Sequence, residues 1–199
     1  MTQIEDNILI LDIETTGTNP IYDYIIEIGA VSLNTKTFEI TDQFHSFICE
    51  TQNFNKKAWI FLNSDITVEM ILNEGKLIND IRDTLQHLLN SYQCTAFNCK
   101  FDFNFLKNRN FKIEHIAPDP MYICTHIFKI LRNKINSKFQ YHKSSYNSPI
   151  NEINKYKWPK VTECLEYFKI NEIEPHRALQ DARLEAKIII ELLKLNKYN

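Results

Sequence analysis

The fold is decided by the stretch Asn7-Ile8-Leu9-Ile10-Leu11-Asp12-Ile13-Glu14. An uninterrupted apolar run that ends in a carboxylate is typical of a central strand buried on both faces. Asp12 and Glu14 lie two residues apart, so their side chains project from the same face of that strand. Two carboxylates on one face repel each other unless a positive charge lies between them. The stretch therefore predicts a central strand whose carboxyl end carries closely spaced acids.

The residues around this strand predict an α/β domain that contains a mixed β-sheet. Further strands are predicted at 25–33 and 38–48, which a hairpin at 34–37 makes antiparallel, and at 94–98. Helices are predicted at 67–71, with Thr67 as N-cap, and at 76–92, 101–109, 122–131, 161–168 and 178–193. Residues 1–199 are expected to form a single domain, with an exposed polar excursion at about 134–158.

Composition excludes several classes of protein. The chain has 199 residues, of which 44% are hydrophobic and 24% charged, as in an ordinary globular domain. Three glycines are too few for a P-loop or a dinucleotide fingerprint, and no apolar run approaches the roughly 20 residues of a membrane span. Five cysteines without a CxxC pair predict reduced thiols, no zinc site and a cytoplasmic location. A net charge of −2 argues against a module that binds nucleic acid by charge alone.

Two more acids lie near predicted helix starts. Asp102, like Asp12 and Glu14, also lies beyond the carboxyl end of a strand, where ligand sites form in open α/β sheets. Asp102 follows the short predicted strand, and Asp181 lies near the start of the final helix, between Ala178 and Ala182. Each acid also has an ordinary explanation. Asp102 could cap a helix, Asp181 could be a solvated acid of the first helical turn, and Glu14 could simply be exposed.

Taken together, these acids predict a site for divalent cations. Four convergent carboxylates suit hard cations that prefer oxygen ligands. Two such ions can stabilise both the attacking and the leaving oxygen of a phosphoryl transfer. His176, five residues before Asp181, would then be placed to take a proton from the attacking water. The alternative is that His176 is a surface histidine beside Pro175.

Three motifs, in this order, resemble those of the DEDDh 3′→5′ exonucleases. They are Asp12-Ile13-Glu14-Thr15-Thr16-Gly17, Asn98-Cys99-Lys100-Phe101-Asp102 and His176-Arg177-Ala178-Leu179-Gln180-Asp181-Ala182. The run at 25–31 is similar to the second strand of that family, and the resemblance extends from about residue 8 to residue 193. The chain departs from the family pattern at Phe97, at Cys124-Thr125 and at 63–67, and none of these positions is an expected metal ligand.

The resemblance implies a ribonuclease H-like fold, in which a mixed β-sheet is flanked by α-helices. It also implies two divalent ions, Mg²⁺ or Mn²⁺. Their expected ligands are Asp12, Glu14, Asp102 and Asp181, and the general base is His176.

The resemblance further implies contacts with substrate. Thr15 and the backbone near Gly17 would contact the terminal nucleotide, because glycine permits close approach. Asn98 would not bind a metal ion itself; at most it would contact the residues that do.

The function implied is hydrolysis of single-stranded 3′ ends to nucleoside 5′-monophosphates. We expect DNA as the substrate, in proofreading or DNA repair. Two alternatives stay open: an exoribonuclease similar to ribonuclease T or oligoribonuclease, and a non-catalytic module that binds nucleic acid. The expected partner is a single-stranded 3′ end and not a membrane, and both a homodimer and an association with a polymerase are compatible with the sequence.

Overall fold

The computed structural model describes residues 4–130 and 156–198. Of the polar excursion expected at 134–158, only residues 156–158 lie within these ranges. The elements are β1 (Asn7–Thr15), β2 (Ile25–Asn34), β3 (Ile40–Phe47), α1 (Trp59–Asn63), α2 (Val68–Glu74), α3 (Ile78–Ser91), β4 (Gln93–Thr95), α4 (Cys99–Asn108), α5 (Pro120–Phe128), α6 (Val161–Tyr167) and α7 (Ala178–Lys194). Within the described ranges, no helix combines the length and apolar character needed to cross a bilayer.

The sheet has four strands in the order β3-β2-β1-β4. Strand β2 pairs antiparallel with both β1 and β3, whereas β4 pairs parallel with β1. Because β1 and β4 are parallel, their carboxyl ends lie at the same edge of the sheet. The mixed α/β sheet predicted from the sequence is confirmed, and its central strand is the apolar run that ends in Asp12 and Glu14.

The side chains of β1 alternate between two cores. Leu9, Leu11 and Ile13 pack with α3 and α4 on one face. Ile8 and Ile10 pack with α5, α6 and α7 on the other. Since strand residues two apart share a face, the alternation places Asp12 and Glu14 on the side of the sheet that carries α7.

Helix α7 approaches the sheet unusually closely at Gly29 of β2. A Cβ atom built on Gly29 would lie 2.2 Å from the backbone nitrogen of Leu179 and 2.3 Å from the carbonyl carbon of Ala178. Backbone atoms cannot move aside as a flexible side chain can, so only glycine fits this position. The contact brings the first turn of α7, and with it Asp181, against the end of the sheet where β1 carries its acids.

Two predicted elements have the wrong bounds, and one helix was not predicted. Strand β4 is three residues long instead of the predicted 94–98, because Asn98 adopts a left-handed conformation (φ 75°) and precedes α4, which begins at Cys99. Helix α5 covers Pro120–Phe128 instead of 122–131, because Asp119 caps it and a left-handed Lys129 ends it. Helix α1 is not predicted at all, since its five residues are too few to show a helical period.

Candidate active site

The structure brings three of the predicted site residues into direct proximity. One side-chain ligand atom from each of Glu14, His176 and Asp181 lies within 4.8 Å of the other two. Glu14 comes from the end of β1, whereas His176 and Asp181 flank the start of α7. Asp12 lies two residues before Glu14 on the same face of β1 and is half-buried. Asp12 interacts electrostatically with Glu14, Asp102 and Asp181, which places all four acids in one cluster.

Asp102 is buried inside α4 and is not its N-cap. Its side chain is only 3% exposed, and its Oδ1 atom accepts a hydrogen bond of 3.2 Å from the backbone N–H of Ile13. At the amino end of α4, the backbone N–H groups of Asn98 and Cys99 instead donate hydrogen bonds to the carboxylate of Asp119. Because Asp119 takes the capping role, Asp102 is available to the acid cluster.

Asp181 is also buried, so it is not a solvated acid of the first helical turn. It is 4% exposed, and its Oδ2 atom accepts a hydrogen bond of 2.8 Å from the backbone N–H of Arg177. Its Oδ1 atom is buried without a hydrogen-bond partner, and it is the sole such side-chain atom found in residues 4–130 and 156–198. A buried, unpartnered carboxylate oxygen is costly unless a cation compensates it.

His176 is held in a left-handed backbone conformation, with φ 55°, just before α7 begins. Its ring meets the ring of Trp59 edge-on, with the two centroids 4.8 Å apart. The side chain is partly exposed, so a substrate could reach it. A non-glycine residue with positive φ is uncommon and is often found at functional sites.

Glu27 is a buried residue of this region that the motifs did not identify. It is 0% exposed, and it accepts hydrogen bonds from Arg177, from the Nε2 atom of His45 and from the backbone N–H of Ala178. Although burial opposes ionisation, the hydrogen bonds from His45 and Arg177 lower the pKa of Glu27. This ionised carboxylate fixes the start of α7 to β2. Its sequence signal is a glutamate inside the otherwise apolar run at 25–31.

Glu185 is a second acid that the motifs did not identify. It lies one turn after Asp181 on α7, is 2% exposed and accepts a hydrogen bond of 3.0 Å from the backbone N–H of Phe97. Burial raises its pKa well above the ordinary value, and the nearby charge of Asp102 raises it further. The four expected acids therefore have a fifth carboxyl group beside them.

The acids of the cluster hold protons more tightly than ordinary carboxylates. Burial, and next the charges of Asp181 and Glu27, raise the pKa of Glu14 to about 9. Burial, and next the charge of Glu174, raise the pKa of Asp181 to about 7. The pKa of Asp12 also lies well above its usual range, because of burial first and the charge of Glu185 second.

This arrangement fits hard divalent cations. The cluster offers carboxylate oxygens, one of them buried and unpartnered. Burial first, and repulsion between neighbouring carboxylates second, raise the pKa values of Asp12, Glu14 and Asp181. A cation supplies the positive charge that would relieve this repulsion, and Mg²⁺ and Mn²⁺ both prefer oxygen ligands. The geometry also leaves His176 close enough to Glu14 and Asp181 to be a metal ligand itself, which the sequence did not suggest.

Thr15 and Gly17 directly follow the acids of β1, and Asn98 directly precedes α4, which carries Asp102. The Thr15 hydroxyl donates a hydrogen bond of 2.6 Å to the carbonyl of Gly17. A Cβ atom on Gly17 would lie 2.5 Å from the carboxylate of Asp23, which is the far end of a side chain that can move. Asn98 lines a cavity of about 250 Å³ next to the loop that contains Gly17. Contact of Thr15, Gly17 and Asn98 with a nucleotide stays a prediction.

Comparison with known proteins supports the motif assignment. The family model described as "Exonuclease" matches residues 9–189. The chain is 26% identical over 200 residues to the PolC-type DNA polymerase III of Caldanaerobacter subterraneus subsp. tengcongensis. That alignment covers 96% of this chain but only 12% of the polymerase, so the chain spans about an eighth of the relative that it matches.

Solved structures of low sequence identity share the fold. The nuclease domain of 3′hExo, a DEDDh family member bound to rAMP, has a TM-score of 0.65 at 19% identity, with 97% of this chain and 94% of that chain covered. E. coli Exonuclease I in complex with a dT13 oligonucleotide has a TM-score of 0.68 at 13% identity, with 94% and 41% covered. The predicted ribonuclease H-like fold is confirmed. The chain belongs to the exonuclease family, as its three motifs predict.

Proposed function

We propose that this protein is a metal-dependent 3′→5′ exonuclease that hydrolyses single-stranded 3′ ends to nucleoside 5′-monophosphates. The observation that carries the proposal is the convergence of Glu14, His176 and Asp181 within 4.8 Å, beside Asp12 and the buried Asp102. A module that only binds nucleic acid has no need of a buried carboxylate oxygen without a partner. Membership of the exonuclease family supports the same reaction class.

In this proposal each residue has a defined role. Asp12, Glu14, Asp102 and Asp181 would hold two divalent cations, Mg²⁺ or Mn²⁺. When bound, the cations stabilise the negative charge that develops on the attacking and leaving oxygens. His176 accepts the proton of the attacking water on a ring nitrogen. Glu27 holds the start of α7, through Arg177 and Ala178, so that His176 and Asp181 keep their positions.

DNA is the proposed substrate. The relative aligned over nearly the whole chain is a DNA polymerase, and Exonuclease I shares the fold in a complex with single-stranded dT13. The same two findings support roles in proofreading or repair and an association with a polymerase. RNA is the second candidate, because the nuclease domain of 3′hExo shares the fold in a complex with rAMP. A digestion of DNA and RNA strands of the same sequence decides between them.

Removal of divalent cations is expected to abolish hydrolysis. In excess EDTA, a 5′-labelled single-stranded oligonucleotide should stay intact on a denaturing gel, because oxygen ligands alone cannot stabilise the developing charge. Mg²⁺ or Mn²⁺ added back in excess should restore shortening of the strand. Undiminished hydrolysis in EDTA would contradict the proposal. Tight binding of the strand with no hydrolysis under any metal would favour the binding module.

Metal binding is expected to stabilise the fold more strongly at high pH. The raised pKa values of Asp181 and Glu14, about 7 and about 9, mean that the metal-free fold keeps protons that the unfolded chain releases near pH 4 to 5. The contribution of these two groups to the free energy of unfolding is therefore fully present below pH 4 to 5. It is lost as the pH rises through about 7 and about 9, the pKa values of Asp181 and Glu14 in the fold. A cation that binds the ionised carboxylates reverses the loss.

The measurement is the difference in Tm between samples with Mn²⁺ and with EDTA, at pH 6 and at pH 8.5. We expect a clearly larger difference at pH 8.5. Glu69→Gln is a matched control, since Glu69 is an exposed acid paired with Lys56 on the surface, and it should retain the wild-type pattern. Equal differences at both pH values would show that the cation does not bind the acids of the cluster.

A further inference from the structure

Arg109, at the carboxyl end of α4, makes an unusually complete set of hydrogen bonds. Its Nε and Nη2 atoms donate to the two carboxylate oxygens of Glu50, at 2.9 and 2.7 Å. Its Nη1 atom donates to the carbonyl of Pro20 and its Nη2 atom to that of Asp23, both at 2.7 Å. The side chains of Arg109 and Glu50 are only 11% and 14% exposed. Such bidentate, partly buried pairs are among the stronger and more directional contacts in proteins.

The two carbonyls belong to the loop that joins β1 to β2, residues 16–24. This loop begins within the first motif, whose last two residues are Thr16 and Gly17, so its position determines where Gly17 lies relative to Asp12 and Glu14. Glu50 also accepts a hydrogen bond of 2.9 Å from the backbone N–H of Ile25, immediately after the loop. The Arg109–Glu50 pair therefore binds two carbonyls of the loop, and it also binds the N–H group of the first residue after the loop.

Arg109 also contacts the opposite wall of the cavity that Asn98 lines. Thr18 and Pro20 of the loop line one wall of this cavity of about 250 Å³, and α4 contributes the other wall with Phe101 and Phe105. The guanidinium of Arg109 lies over the Phe105 ring, 5.3 Å from its centroid. One side chain thus bonds to Pro20 on the first wall and packs on Phe105 in the second.

We propose that Arg109, locked in place by Glu50, is a positioning residue for binding of the substrate 3′ end. It holds the loop at 16–24 against α4, and so keeps the cavity open at the width that the terminal nucleotides need. This inference rests on the proposed exonuclease function, because it concerns the same site. A preorganised loop lowers the entropy cost of binding, so the contribution of Arg109 is to affinity and not to the chemical step. None of the proposed metal ligands lies within the loop.

Arg109→Lys is the test variant, because lysine keeps the positive charge next to Glu50 but cannot bond to two carbonyls and two carboxylate oxygens at once. Glu50→Gln is a second variant that removes the charge of the partner and keeps an acceptor for Ile25. Arg82→Lys is the matched control. Arg82 also lies over a phenylalanine ring, that of Phe111, and donates to the carbonyl of Arg109 at the same helix end.

The first readout is the order of the loop itself. Tyr22 is 77% exposed and Tyr24 38%, so chymotrypsin cleaves after either residue once the loop opens locally. Arg109→Lys and Glu50→Gln should be cleaved there faster than wild type, as measured by mass spectrometry at a temperature well below the Tm. Arg82→Lys should be cleaved at the wild-type rate. Equal cleavage of all four proteins would overturn the proposal.

The second readout separates affinity from chemistry. Both test variants should raise KM for a single-stranded oligonucleotide by roughly tenfold and leave kcat within about twofold of wild type. Faster cleavage of the loop with an unchanged KM would overturn the role in binding, as would a fall in kcat alone. If the wild-type protein hydrolysed no 3′ end, the proposed function would fail, and chymotrypsin cleavage would still decide whether Arg109 holds the loop.

Discussion

Asp181→Asn is expected to reduce the rate of hydrolysis by about 10³-fold or more, because loss of a charged metal ligand removes several kcal/mol of transition-state stabilisation. The substitution should not unfold the protein. The amide oxygen can still accept the hydrogen bond from the Arg177 N–H group, and repulsion with the neighbouring Glu14 disappears. We therefore expect the metal-free Tm to be equal to or higher than that of wild type, while the increase in Tm caused by Mn²⁺ largely disappears.

The combination of these results distinguishes a metal ligand from a structural acid. A structural acid would lose stability and activity together, since breaking a buried network lowers the free energy of unfolding. Asp119→Asn is a useful comparison, because Asp119 is an acid that caps α4 and α5 and is not a proposed ligand. It should lower the metal-free Tm and retain the Mn²⁺ response. Full activity of Asp181→Asn would contradict the assignment of the third motif.

His176→Ala is expected to lower kcat by about 10²–10⁴-fold, the usual contribution of a general base. Four carboxylates remain to hold the cations, so the increase in Tm with Mn²⁺ should stay close to that of wild type. Because His176 lies within 4.8 Å of Glu14 and Asp181, the same variant also tests whether His176 is a ligand. Loss of the Mn²⁺ response would show that it is a ligand and not the base.

Two controls make the His176 result specific. Added imidazole should restore part of the lost rate, since a small base can enter the partly exposed space that the ring leaves. His115→Ala, which removes an exposed histidine outside the site, should leave both kcat and the metal response unchanged. If His176→Ala kept the wild-type kcat, His176 would be a surface residue and its match to the family motif would be accidental.

The central strand and the acids of the motifs could be predicted because their signals are local. An apolar run, a spacing of two residues and a spacing of five residues are all visible in a short stretch of sequence. The structure adds that Asp102 and Asp181 are buried, which removes the ordinary explanations that each has when taken alone.

Glu27, Glu185 and the Arg109–Glu50 pair could not be predicted, because their partners are distant in sequence. Glu27 binds Arg177, 150 positions away, and Arg109 binds Glu50, 59 positions away. A single glutamate in a strand or helix is indistinguishable from a surface charge until the chain is folded. Helix α1, which places Trp59 against His176, also escapes detection because it is only five residues long.

The most direct test of the proposed function is a time course of digestion with 5′-labelled DNA and RNA strands of identical sequence, in Mg²⁺, with Asp12→Asn as the inactive control. We predict labelled fragments that shorten one nucleotide at a time from the 3′ end, release of nucleoside 5′-monophosphates, and faster shortening of DNA than of RNA. The control should leave both strands intact. Release of the label as a mononucleotide at the earliest time points, or cuts within the strand, would contradict 3′→5′ exonuclease activity.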